Sequence, residues 1–336
     1  MKAKNISGQA PGGKRVNLAK ALPLSTPFVV QIFPVYACNF KCGYCIFSLP
    51  KSKRGFISES ISMRFDLYKK CIDELALFPE KIKVLRFVGI GEPLLHKDIV
   101  RMVRYAAKKN IARKIEIITN GLLLTPRMSE ALIGAGLSRL VVSLQGISKE
   151  RYKKISGIDI DFARFLRNLR YFYENRGKTE VYLKIIDCAL ENKEEEKEFY
   201  RILGGFCDTL AVEHAVPIHS GINYRNILKS KKLTQFGLPV GRVGVCPQPF
   251  FTLQVNPDGK VVPCYSFEYP QIVGDCRVDS LRRIWNGEAF QRFRQRMLEG
   301  TKNAGRICGN CDIIKYRLFP EDDLKHDVKR LKKIYA

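Results

Sequence analysis

From about residue 28 to 215, short apolar runs alternate with longer amphipathic segments. FVVQIF (28–33), IKVLRFV (82–88), KIEIIT (114–119), LSRLVVSL (137–144), VYLKIID (181–187) and TLAVEH (209–214) predict six strands. Between them, DLYKKCIDELALF (66–78), KDIVRMVRYAAKK (97–109) and ARFLRNLRYFYENR (163–176) repeat apolar positions at helical spacing. β-branched strands separated by helices predict an α/β chain with a parallel sheet covered on both faces. Such a sheet is an open barrel or a doubly wound sheet, and in both the functional loops follow the C-terminal strand ends.

The pattern changes after about residue 216. FFTLQVNPDGKVVPC (251–264) predicts a β-hairpin turning at Asn256-Pro257-Asp258-Gly259. A helix follows over 279–298, interrupted near Gly287, then CGNC (308–311) and a basic C-terminal helix. Four regions are expected: a basic flexible arm (1–25), a core (26–216), a connecting segment (217–245) and a second unit (246–336).

Apolar content of 46% and charged content of 27% are ordinary for a globular chain. No run is long and apolar enough to cross a bilayer, and the basic N-terminus lacks the apolar stretch of a secretory signal. A cytoplasmic protein is expected. The net charge of +25 favours anionic partners. It is spread along the chain without a recognisable RNA-binding module, which disfavours nucleic acid.

Seven of the 11 cysteines fall into two sets. Cys38, Cys42 and Cys45 lie in YACNFKCGYCIF, directly after the first strand. Cys246, Cys264, Cys308 and Cys311 lie in the second unit. A disulfide framework suits neither the chain length nor the missing signal, so each set reads as a metal or cluster site. Three thiolates on a cubane cluster leave one iron open for a substrate or cofactor. Zinc completed by a distant His or Cys is the alternative. The second set is closed, a four-cysteine zinc site or a full [4Fe–4S] cluster.

CxxxCxxC after a first strand resembles the signature of the radical S-adenosylmethionine (radical SAM) superfamily. GIGEP (89–93), TNG (119–121) and SLQG (143–146) resemble further motifs of that family in the expected order. Ile90 stands where a second Gly is common, and Ser156 where many relatives carry Arg. The resemblance implies a partial (β/α)6 TIM-like barrel. It implies a [4Fe–4S] cluster on Cys38, Cys42 and Cys45, with an open iron that chelates S-adenosylmethionine. Tyr44, Gly89, Gly91, Glu92, Pro93, Asn120 and Ser143 are the implied cofactor-binding residues, Tyr44 near the adenine. Reductive cleavage would give methionine and a 5′-deoxyadenosyl radical that takes a hydrogen atom from the substrate. An electron donor such as flavodoxin or ferredoxin is implied as partner.

The segment from Cys246 resembles the family's SPASM/twitch extension, a β-hairpin and helix holding auxiliary clusters. Four well-placed cysteines imply one auxiliary [4Fe–4S] cluster, with Cys276 a small buried side chain. Cys188, at the end of the fifth strand, is a candidate hydrogen-atom donor, or a buried structural thiol. Lys184 shares its alternation and should point into the barrel, where an unpaired Lys would ask for an anionic group. Glu213 and His214 end the sixth strand, where they bind substrate, move a proton or cap. The expected reaction is dehydrogenation or epimerisation of a sugar, aminocyclitol or nucleotide-linked sugar. The alternatives are peptide modification with a separate leader-binding partner, and RNA modification. Only 37 residues precede Cys38, too few for a leader-binding domain.

Overall fold

The computed structural model describes residues 3–6, 15–54, 60–265 and 269–336. All six expected strands form: β2 (Val29–Ile32), β3 (Ile82–Phe87), β4 (Ala112–Thr119), β5 (Arg139–Leu144), β6 (Glu180–Ile186) and β7 (Thr209–Glu213). Four more join them: β1 (Lys4–Asn5), β8 (Thr252–Val255), β9 (Lys260–Val262) and β10 (Gly274–Asp275). Together they make one sheet in the order β1-β7-β6-β5-β4-β3-β2-β8-β9-β10.

Strands β2 to β7 lie side by side in chain order, all parallel. A doubly wound sheet needs a point where strand order reverses, and this run has none. Crossovers of one hand in unbroken order put the helices on one face. The fold is therefore α/β with a partial (β/α)6 barrel. The helical segments form at Phe65–Leu75, Ile99–Lys109 and Phe162–Asn175. Each buries one stripe, as Tyr68, Cys71, Ile72 and Leu75 do on the first. The stripes meet Ile32, Phe87, Ile117, Leu140 and Leu183 in the main core.

The expected cover on both faces is not what forms. Alternate strand residues face the inside of the barrel, and there Gln31, Arg86, Glu116, Arg139, Lys184 and Glu213 replace apolar side chains. Gln31, Glu116, Arg139 and Glu213 are buried. Charge pairs satisfy this inner face: Arg86 Nε to Glu116 Oε1 at 2.5 Å, Arg139 to Glu116 at 3.3 Å and Lys184 to Glu213 at 2.7 Å.

The hairpin β8–β9 turns where expected, with Gly259 N donating to Asn256 O at 3.0 Å. It does not stand apart from the barrel. β8 pairs parallel with β2, Val30 opposite Leu253, and the second unit continues the barrel sheet. The C-terminal helix lies at Val328–Tyr335, and the preceding one is split by Gly287 into Leu281–Asn286 and Glu288–Leu298.

The arm expected to be flexible is partly built into the fold. Lys4–Asn5 pairs parallel with β7. Leu18, Ala19 and Leu22 enter a second core with Phe250, Phe293 and Leu331 of the C-terminal unit. The reason is local: Asn17 caps the short helix Leu18–Ala21 by accepting from Lys20 N at 3.0 Å, and its apolar residues face inward. Residues 7–14 of the arm lie outside the described residues. No helix among the described residues is long and apolar enough to cross a membrane.

Candidate cluster and cofactor site

β2 runs straight into the three-cysteine loop, and its neighbours hold that loop by the backbone. Lys41 N donates to Ser156 O at 2.9 Å and Gly43 N to Ile155 O at 3.0 Å, both at the end of the helix Lys149–Ser156. Glu92 N donates to Ala37 O at 2.8 Å. The loop thus sits at the C-terminal mouth of the barrel, against the strand-end turns of β3 and β4.

Close approach explains the glycines of the β3 turn. Gly89 and Gly91 have φ of +142° and +154°. A Cβ on Gly91 would stand 2.1 Å from Val35 O, and one on Gly89 2.4 Å from the Phe33 ring. Ile90 is buried and packs with Phe33, Tyr36 and Phe47. The turn therefore tolerates a side chain at position 90.

Glu92 joins the turns. Its carboxylate accepts from Thr119 Oγ1 at 2.6 Å, Asn120 N at 2.7 Å and Leu94 N at 2.9 Å. Burial pushes the carboxyl up in spite of these donors. Pro93 opens the short turn Pro93–Leu95 that Glu92 caps. Asn120 Nδ2 reaches the cysteine loop, 2.7 Å from Asn39 Oδ1 and 3.9 Å from Cys38 Sγ. Tyr44 donates its hydroxyl to Gln145 Oε1, and Gln145 Nε2 donates to Ser143 O at 3.1 Å. Gln145 was not singled out in the sequence, though SLQG carried it.

Cys188 lies on the turn Asp187–Ala189 after β6, half-buried. Cys188, Cys42 and Cys45 each lie close enough to Tyr44 to raise its hydroxyl further than burial alone. Burial, with Asp187 beside it, pushes the Cys188 thiol up to about 12. At neutral pH it is S–H. Arg151, buried and missed in the sequence among the lysines of its helix, holds this turn. It donates to Ala189 O at 3.1 Å and Cys188 O at 3.3 Å, and pairs with Glu191 at 2.5 Å.

Lys184 does face inward, but the anion it meets is Glu213. Glu213 also accepts from Tyr182 at 3.0 Å and Gln235 at 2.7 Å. Burial pushes the carboxyl up, and Lys184 with the two other donors outweighs it and holds Glu213 below the usual carboxylate range. His214 Nδ1 meets Asp187 Oδ2 at 2.9 Å. His96 accepts from Asp98 N at 3.1 Å, a turn cap.

The other four cysteines come together from three places. Cys246 precedes the short helix Gln248–Phe251, Cys264 follows β9, and Cys308 and Cys311 flank an exposed turn. They line one pocket with Tyr265, Phe293 and Met297. Burial, then the other three thiols, pushes Cys246 well up, and Cys308 is pushed up to about 12. In the first set burial likewise raises Cys38 to about 12. A bound cationic centre favours the thiolate form that burial opposes at Cys38, Cys246 and Cys308, which fits iron–sulfur ligation. Among the described residues no three His, Cys, Asp or Glu converge on a single metal-ion position. A cubane asks for a different arrangement, each thiolate on its own iron. Cys276 is fully buried elsewhere, its Sγ 3.4 Å from Cys71 Sγ.

The family model of the Radical SAM superfamily matches residues 32–203. The chain belongs to the radical SAM superfamily. The SPASM model, an iron-sulfur cluster-binding domain, matches residues 246–312. A radical SAM domain brings a [4Fe–4S] cluster and S-adenosylmethionine, and a SPASM domain brings auxiliary iron–sulfur.

This radical SAM protein is 26% identical over 295 residues to the tungsten-containing aldehyde ferredoxin oxidoreductase cofactor-modifying protein of Pyrococcus furiosus, covering 76% of this chain and 80% of that one. It is 26% identical over 322 residues to the PqqA peptide cyclase of Rhodopseudomonas palustris, covering 85% and 79%. It is 24% identical over 291 residues to the S-adenosyl-L-methionine-dependent 2-deoxy-scyllo-inosamine dehydrogenase of Niallia circulans, covering 85% and 93%. In fold it resembles Streptococcus suis SuiB bound to S-adenosylmethionine, at a TM-score of 0.64 and 17% identity, over 89% of this chain and 74% of that one.

Proposed function

We propose that this radical SAM enzyme removes a hydrogen atom from a sugar or aminocyclitol held inside the barrel, and so dehydrogenates or epimerises it. The supporting observation is the inner face. Lys184 and Glu213 lie on it at the C-terminal ends of β6 and β7, with Tyr182 and Gln235 around them. A polyol presents hydroxyls that both donate and accept, and a lumen of ammonium, phenol, amide and carboxylate groups can match them. The 2-deoxy-scyllo-inosamine dehydrogenase among the relatives is in keeping with this.

Cys38, Cys42 and Cys45 would hold the catalytic cluster; Gly89, Gly91, Asn120 and Ser143 would shape the pocket for S-adenosylmethionine, with Tyr44 and Pro93 at its margin. Glu92 acts through the turns it joins. When bound, this pair of cofactors supplies reductive sulfonium cleavage and a carbon radical. Cys246, Cys264, Cys308 and Cys311 would hold one auxiliary cluster, able to accept the electron an oxidation releases. In an epimerisation Cys188, as S–H, would give its hydrogen atom to the opposite face of the carbon, and the thiyl left behind would be restored by one electron from the auxiliary cluster and one proton from solvent. Glu213, kept anionic, can take the proton that a dehydrogenated alcohol gives up.

The test is transfer of deuterium from ring-labelled aminocyclitols and sugars into 5′-deoxyadenosine. Solvent deuterium retained in product marks epimerisation, and its absence with a ketone product marks oxidation. The PqqA peptide cyclase relative supports a second reading, peptide modification. Deuterium arriving from a labelled peptide, and from no carbohydrate, would replace the first reading with the second.

A further inference from the structure

Beside the last two cysteines of the second set, the surface is basic. Cys308 and Cys311 are half-buried, and Gly309 and Asn310 between them are exposed. Around this turn stand Arg296, Lys302 and Arg306, all exposed. Arg306 opens the turn of helix Arg306–Gly309 that carries Cys308. Lys302 lies against Gly309, where an added Cβ would meet Lys302 Cα at 3.3 Å. Arg296 is exposed on the helix Glu288–Leu298, whose Phe293 and Met297 line the cysteine pocket. Of the nearby acids, Asp312 is taken up by Lys315 at 2.6 Å, and Glu299 is one exposed charge against three.

The three exposed cations and the exposed backbone between two of the set's cysteines are independent observations. Together they describe a place where an electron could enter from a negatively charged protein. On the inner side, the unit touches the three-cysteine loop: Tyr269 Oη is 3.3 Å from Tyr36 Oη, two residues before Cys38. We propose that the Cys308–Cys311 turn is the docking surface for an acidic one-electron carrier protein. The carrier loses one electron for each S-adenosylmethionine cleaved. That electron goes into the sulfur–carbon bond that breaks, and no proton need cross the interface. The three cations steer the encounter and set orientation, the usual work of rim charges. The inference rests on the cluster-binding domain and not on the identity of the substrate.

The test uses the reconstituted holoprotein and an acidic flavodoxin as probe. Affinity is measured by titration calorimetry at low and high salt. The double variant K302E/R306E should bind flavodoxin at least about tenfold more weakly, with most of the salt dependence gone. Flavodoxin-driven formation of 5′-deoxyadenosine should slow, while dithionite-driven formation stays at the parent rate. R164E/R167E makes the same charge change on exposed residues of the helix Phe162–Asn175 and should leave the affinity unchanged. Parent-like binding by K302E/R306E, or equal weakening by R164E/R167E, overturns the proposal. Carbodiimide cross-linking of the unmodified holoprotein gives a check free of folding effects. Cross-links at Lys302 support the site, and cross-links only at distant lysines overturn it.

Discussion

The two cysteine sites are built in opposite ways. Cys38, Cys42 and Cys45 sit on one short loop, and the fold's contribution is to grip its backbone from Ser156, Ile155 and Glu92. Cys246, Cys264, Cys308 and Cys311 come from three separate segments, and only the packing around Phe293 and Met297 brings them together. The first site is local and the tertiary structure orients it. The second is tertiary in origin, so its integrity and that of the C-terminal core depend on each other.

That contrast can be broken most directly at Cys42. Cys42→Ala should abolish 5′-deoxyadenosine formation and lower iron from about eight to about four per chain, if both sites carry [4Fe–4S] clusters. Its melting temperature should move little. Cys246→Ala should show the reverse balance: the same loss of iron, S-adenosylmethionine binding retained, and a much larger fall in melting temperature. Equal melting temperatures for the two variants would erase the distinction. Gly91→Ala probes the grip on the loop. Its Cβ has no room beside Val35 O, so about 1–3 kcal/mol of strain should appear as weaker S-adenosylmethionine binding with the iron kept.

Smaller effects sharpen the picture. Glu213 sits below the usual carboxylate range in the fold. Its contribution to stability is therefore present above the ordinary carboxylate pKa and is lost as pH falls through the lower folded value. Glu213→Gln should flatten the acid limb of melting temperature against pH, while Glu180→Gln, at an exposed partner of Lys114, should not. Cys276→Ala is the mildest. Fully buried against Cys71, it should cost about 1 kcal/mol in denaturant unfolding and leave the iron count unchanged. A loss of iron there would make Cys276 a ligand.

What could be read in the chain follows the same division. The six strands were legible because each is a short β-branched run, and the first cysteine loop because its spacing is local. The polar inner face was also visible: Gln31, Arg86, Glu116 and Lys184 interrupt apolar runs at strand period, a signal stronger than the expectation of two covered faces. The pairing of β8 with β2 was not legible, since nothing in a hairpin's own residues names the edge it joins. Nor was the anchoring of Leu18 and Leu22, whose partners lie more than two hundred residues away. Arg151 left no mark because a buried Arg in a basic helix looks like its solvated neighbours.

The pairing of β2 with β8 also sets a timetable. β2 is made early and pairs with β3 on one side, but its other edge is completed only by a strand more than two hundred residues later. While the chain is being made, the strand that leads into the catalytic cysteines offers a row of unpaired backbone groups, the kind of edge that recruits other chains. A truncation ahead of Thr252 would leave that edge open for good. Expression of the barrel alone should then be limited by aggregation before any question of iron arises.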